Sequence, residues 1–241
     1  MSGPPEGMLE WAAKGTTAFE ATVDGVTDQG FTGPSCLPGW SRAHVVAHVT
    51  RNAGALANLL TWARTGVETP MYTSPDQRSH EIEEGSRRPT GELRVDLLKA
   101  DRRLAEEFAD LPDECWDAMV RTAREREVPA SEVPWMRVRE VWVHAVDLST
   151  GTAFDDIPRD VCAGLVDDVA GAFRARTDFP PVELRAEDGG RTWLLGLAGS
   201  ADPVVVTGDV WSLAAYATGR PVPGPLRAVG GGPVPELPSW L

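Results

Sequence analysis

The feature that most restricts this chain is a helical rhythm of apolar residues that recurs four times in its first 150 positions and then stops. Leu9 to about Thr27 sets Phe19, Val23 and Val26 on one face, the spacing of a half-buried helix. After the turn-rich FTGPSCLPGW, Ser41 is a predicted N-cap for a second helix to about Arg64, with Val45, Val49, Leu56, Leu60 and Ala63 as its stripe. TGVETPMYTSPDQRSH reads as a loop. Leu93, Leu97, Leu104, Phe108 and Leu111 predict a third helix from Glu92 to Leu111, ended near Pro112. An irregular stretch runs through VPASEVP, and a fourth helix from about Trp135 to Thr150 turns Val138, Val141, Ala145 and Leu148 inward. Four such stripes are buried most simply against one another, as a four-helix bundle.

Beyond GTAFDDIPRD the pattern changes. Val161, Leu165 and Val169 mark one more helix, and VELRAED, a Gly189-Gly190 turn and RTWLLGL read as a hairpin. DPVVVTGD adds a strand, and Asp209 is placed to cap a short helix through Ala217. The tail GRPVPGPLRAVGGGPVPELPSWL is too rich in proline and glycine to predict regular structure. The expected fold is α+β: residues 1–152 as the helical bundle, residues 153–241 as a small domain of helices and a sheet.

The chain carries 36 Asp and Glu against 23 Lys and Arg, a net charge of −13, with no basic run to meet a phosphate backbone. That excludes nucleic acid as a partner and makes single arginines the candidates for holding an anionic substrate. Cys36, Cys115 and Cys162 are scattered and odd in number, which predicts neither a disulfide framework nor a thiolate metal knuckle. The first residues lack the pattern of a secretory signal, and no stretch reaches eighteen apolar residues. A cytoplasmic, membrane-free location is expected.

Chemistry gathers on two helices. In REVWVHAVDL, Glu140 and His144 are four residues apart and share a face, where both can reach one metal ion. His44 and His48 stand at the same spacing on the second helix, and either completes a two-histidine, one-glutamate set. Such a set leaves a fourth position open, as catalytic zinc sites do, although other divalent ions accept the same donors. The plain alternative is a solvated helix face, since Glu-x-x-x-His also arises by chance. His80, in the polar segment, is expected to be exposed. Asp147 either supports His144 from behind or forms a surface or inter-helix salt bridge, the latter favoured.

These residues resemble the mycothiol-dependent maleylpyruvate isomerases, of the wider DinB-like group of four-helix metal-binding proteins. The resemblance is carried by LPGWSRAHVVAHVTRNA, GVETPMYTSPDQRSHEIEEGS, VPASEVPWMRVREVWVHAVDL, AAYATGR and the terminal PELPSWL. It implies zinc held by His48, Glu140 and His144, mycothiol as a second cofactor, and a functional arginine at Arg220. Arg220 would hold a carboxylate of the substrate, though an arginine at a helix end also bonds the last carbonyls. Arg78, in SPDQR, either holds a substrate carboxylate or is solvated. His44 is then a helix-terminal hydrogen-bonding residue, Cys36 is a core or loop packing residue, and no cysteine falls in the metal-binding segments, which leaves the reactive sulfur to the cofactor. The implied reaction is cis–trans isomerisation of maleylpyruvate to fumarylpyruvate in gentisate degradation, by thiolate addition, bond rotation and elimination. A monomer acting on a small dicarboxylate is implied. Two alternatives keep the site: transfer of mycothiol to another electrophile, and a metal-binding bundle without catalysis.

Overall fold

In the computed structural model, which describes residues 5–199 and 201–240, the apolar stripes are the buried faces. The chain is α+β and divides into two compact units, Met1–Thr152 and Ala153–Leu241. The first holds α1 (Glu6–Asp24), α2 (Arg42–Thr65), α3 (Pro75–Ser86), α4 (Thr90–Asp110) and α5 (Val133–Asp147). Phe19, Val23 and Val26 on α1 and its end are buried, as are Val45, Val49, Leu56 and Leu60 on α2, Leu93, Leu97 and Leu104 on α4, and Val138, Val141 and Ala145 on α5.

Helix α2 is the centre of this unit and packs on α3, α4 and α5. It is rich in alanine and valine, and small side chains let neighbours close on several sides of one helix. Its ends are fixed by sequence: Ser41 accepts the His44 backbone N–H, and Gly66, at φ 70°, takes the left-handed conformation that closes the C-terminus. A guanidinium locks three helices together. Arg137 on α5 pairs with Asp101 on α4, and its Nη1 donates to the Val49 carbonyl at 3.0 Å and to Asn52 Oδ1 at 3.3 Å on α2. Both charged side chains are almost wholly buried.

Two stretches expected to lack structure are ordered. Part of the segment read as a loop is α3, capped by Ser74, which accepts the Gln77 N–H at 3.1 Å. Its sequence is polar nearly all round, and Ile82 is its one large apolar side chain in the core, so periodicity has no stripe to detect. Gly85 sets its distance from α2: a Cβ there would lie 2.9 Å from Ala47 Cβ. Between α4 and α5, β1 (Met119–Arg121) and β2 (Glu127–Pro129) form an antiparallel hairpin that buries the Val120–Val128 pair. Strands of three residues are too short to show alternation.

The second unit contains α6 (Arg159–Phe173), β3 (Val182–Ala186), β4 (Thr192–Leu195), β5 (Val204–Gly208), α7 (Val210–Thr218) and β6 (Arg227–Ala228). The sheet order is β4-β3-β5-β6, with β3 and β4 antiparallel across the Gly189-Gly190 turn and β5 parallel to β3. Asp209 caps α7 by accepting the Ser212 N–H at 2.7 Å. The tail departs from expectation, because Arg227–Ala228 pairs with β5 and Tyr216 donates its hydroxyl hydrogen to the Pro235 carbonyl at 2.6 Å. Its order comes from non-local partners, which local composition does not reveal. Among the described residues no helix is long and apolar enough to cross a membrane.

Candidate metal centre

Helix α2 supplies His48, and α5 supplies Glu140 and His144, one turn apart. His48 Nε2 lies 2.9 Å and His144 Nε2 3.3 Å from the same carboxylate oxygen, Glu140 Oε2. One ligand atom from each residue falls within 4.8 Å of the others, and no other group of three potential ligands converges among the described residues. The imidazole rings are 4.8 Å apart and nearly perpendicular, at 89°. His48 is only 5% exposed, an unusual environment for a histidine without a polar task.

His44 does not join the cluster. Its Nδ1 accepts the Ser41 backbone N–H at 3.2 Å, and its Nε2 faces Glu83 Oε2 at 3.2 Å, so it completes the α2 cap and ties α2 to α3. His80 is exposed beside Glu84. Behind the cluster, His144 Nδ1 is 2.8 Å from Asp147 Oδ2, and Asp147 is fully buried. The surface position favoured for Asp147 is therefore corrected: its carboxylate is buried at the last turn of α5, against His144 Nδ1. On the other side Arg78 Nη2 donates to His48 Nδ1 at 3.3 Å, and the guanidinium lies 5.9 Å from the Tyr72 ring centroid. Arg78 is thus held against the cluster rather than solvated. Cys36 is exposed on the loop before α2, and Cys162 is buried in the second unit.

Residues 12–149 match the family model described as the mycothiol maleylpyruvate isomerase N-terminal domain. The chain belongs to this family. It is similar over 98% of its length, and 97% of the other chain, to the crystal structure of the mycothiol-dependent maleylpyruvate isomerase, at 38% identity and a TM-score of 0.92. It is similar over the same shares to the H-to-A mutant structure of the mycothiol-dependent maleylpyruvate isomerase, at 37% identity and a TM-score of 0.91. Among curated proteins no relative matches.

In this member of the family burial and close contacts act together on the titration of the three side chains. Burial lowers the pKa of His48, against the opposing pull of Glu140. Burial would raise Glu140, but the charge and hydrogen bonds of His48 and His144 outweigh it and hold the carboxyl well below its ordinary range. Burial also opposes protonation of His144, yet the hydrogen bonds it donates to Asp147 and Glu140 carry it up to about 9.

The second unit holds Arg220, just past α7, which ends at Gly219 with φ 73°. Its backbone N–H donates to the Ala215 carbonyl at 2.8 Å, and Nη1 donates to the Thr218 carbonyl at 2.6 Å. It lines a cavity of about 520 Å³ within that unit, together with Tyr216 and Leu226. Two aromatic residues near the cluster escaped the sequence reading. Burial pushes the Tyr72 phenol up to about 12. The Trp40 ring stacks on His44 and meets His48 edge-on at 5.6 Å. The spacing of Trp40, His44 and His48, four residues each, was the available signal for Trp40.

Proposed function

We propose that the protein is a zinc- and mycothiol-dependent maleylpyruvate isomerase, converting the cis double bond of maleylpyruvate to the trans bond of fumarylpyruvate in gentisate degradation. The observation that carries this reading is the convergence of His48 Nε2, His144 Nε2 and Glu140 Oε2 at one buried point. The donors fit the ion: two imidazoles and a carboxylate suit zinc and leave a fourth tetrahedral position for an exogenous ligand. When bound, zinc and mycothiol would together supply a deprotonated sulfur nucleophile that adds reversibly to the alkene and removes its double-bond character.

The chain's own residues have separate tasks. His48, Glu140 and His144 hold the ion. Asp147 accepts the hydrogen on His144 Nδ1, which leaves the Nε2 lone pair for the metal. Arg78, against His48, is placed to offer its guanidinium to a substrate carboxylate. Arg220 offers a further guanidinium for a carboxylate. The buried His48 and half-buried Tyr72 would limit water at the cluster and favour charged contacts over bulk solvation.

Product analysis with mycothiol below the substrate concentration tests the reading. Isomerisation forms fumarylpyruvate many times over per thiol and returns the thiol unchanged. Consumption of one thiol per product, as a stable adduct, would establish S-transfer instead.

A further inference from the structure

An opening in the N-terminal unit, about 500 Å³ in volume, lies between α2 and α4 under the segment that leads into α3. None of His48, Glu140 or His144 lines it. Its walls reverse the charge of the molecule: Arg51, Arg88, Lys99 and Arg103 face it against Glu81 and Asp96, in a chain whose net charge is −13. Two of these cations are already occupied. Arg88 pairs with Asp96 and with Glu92, and Arg103 donates to Asn58 Oδ1 at 2.9 Å. Arg51, on α2, and Lys99, on α4, have no hydrogen-bond or ion-pair partner among the described residues. Two cations left unpaired in one cavity, where acids outnumber bases elsewhere, give a locally positive pocket that concentrates anions. Met71 and the Tyr72 ring add an apolar wall for the carbon part of a ligand.

We propose that this cavity binds a small organic anion, a phosphate ester or a dicarboxylate, held by Arg51 and Lys99 with Arg103 beside them. The proposal stands independently of the isomerase reading. Its position gives it a route to the metal cluster, because Tyr72 lines the cavity and carries on its ring Arg78, which donates to His48. A neutral polyol would leave both cations unpaired, so charge selects the ligand class.

Methionine methyl NMR of the full, metal-loaded chain tests this locally, since Met71 lines the cavity while Met119 is exposed on β1 and Met136 lies in the helical core. The probes are phenyl phosphate, glutarate and, as the neutral control, phenyl glucoside. The expected result is a saturable shift of the Met71 signal with at least one anion, and the tighter of the two identifies the source. In the Arg51→Gln/Lys99→Gln double variant the affinity should fall by about tenfold or more. An Arg124→Gln/Arg174→Gln variant, which removes equal charge from exposed sites elsewhere, should stay within about twofold. The proposal is overturned by an unmoved Met71 signal with both anions, by equal loss in the two double variants, or by phenyl glucoside binding as tightly as the anions.

Discussion

Asp147 is where a single residue does most to define the centre. Its buried carboxylate holds His144 in one orientation and one tautomer, and outer groups of this kind typically contribute 10–100-fold, roughly, to metal affinity. Asp147→Ala is expected to weaken zinc binding by about that factor, measured by competition with a chromogenic chelator. Arg78 stands on the other side of the cluster, against His48. For a substrate-binding residue, replacement in Arg78→Ala should leave zinc in place while the KM for maleylpyruvate rises about tenfold. Loss of zinc from that variant would show that Arg78 supports the metal rather than the substrate. At this scale the sequence was informative about residue type but not about direction. Spacing left His44 and His48 equivalent, and only the three-dimensional path of α2 sends one to the cap and the other to the cluster. The burial of Asp147 was hidden because it depends on what packs against the last turn of α5.

Helices hold this site through a buried charge rather than through apolar packing alone. Arg137 sits one turn before Glu140 and Asp101 pairs with it from α4, while the Val49 carbonyl that Arg137 bonds is next to His48. Removing one partner of a buried pair leaves the other charge uncompensated, at a cost of about 3–5 kcal/mol. Arg137→Met should lower the unfolding free energy by roughly that amount in urea titration, and Arg137→Met/Asp101→Leu should recover part of it. A cost under about 1 kcal/mol for the single variant would mean water reaches Asp101. The four long helices were legible because each carries a stripe over several turns. Helix α3 was not, since it is polar and held by a serine cap, one isoleucine and a close glycine contact. The short hairpin and β6 were missed for a related reason: their stability lies in partners remote in sequence.

For the whole molecule, the switch from helical rhythm to hairpin signals announced an α+β chain, and the family resemblance covered nearly all of it. What the His48, Glu140 and His144 cluster does not explain is the second unit, where Arg220 stands at the end of α7 beside a cavity. Arg220→Ala should keep zinc and lose at least about tenfold in kcat/KM, which separates a substrate-binding arginine from a metal-supporting one. Retained turnover would make it a helix-end residue bonding the Thr218 carbonyl. The central claim is that zinc at His48, Glu140 and His144 is required for thiol-dependent isomerisation. Its most direct test is maleylpyruvate conversion at substoichiometric mycothiol, followed in chelator-stripped protein before and after one equivalent of zinc, with Glu140→Ala alongside. The account predicts no catalytic turnover when stripped, restoration by zinc in the parent chain, and no restoration in Glu140→Ala. Full turnover in the stripped protein, or zinc-restored turnover in Glu140→Ala, would contradict it.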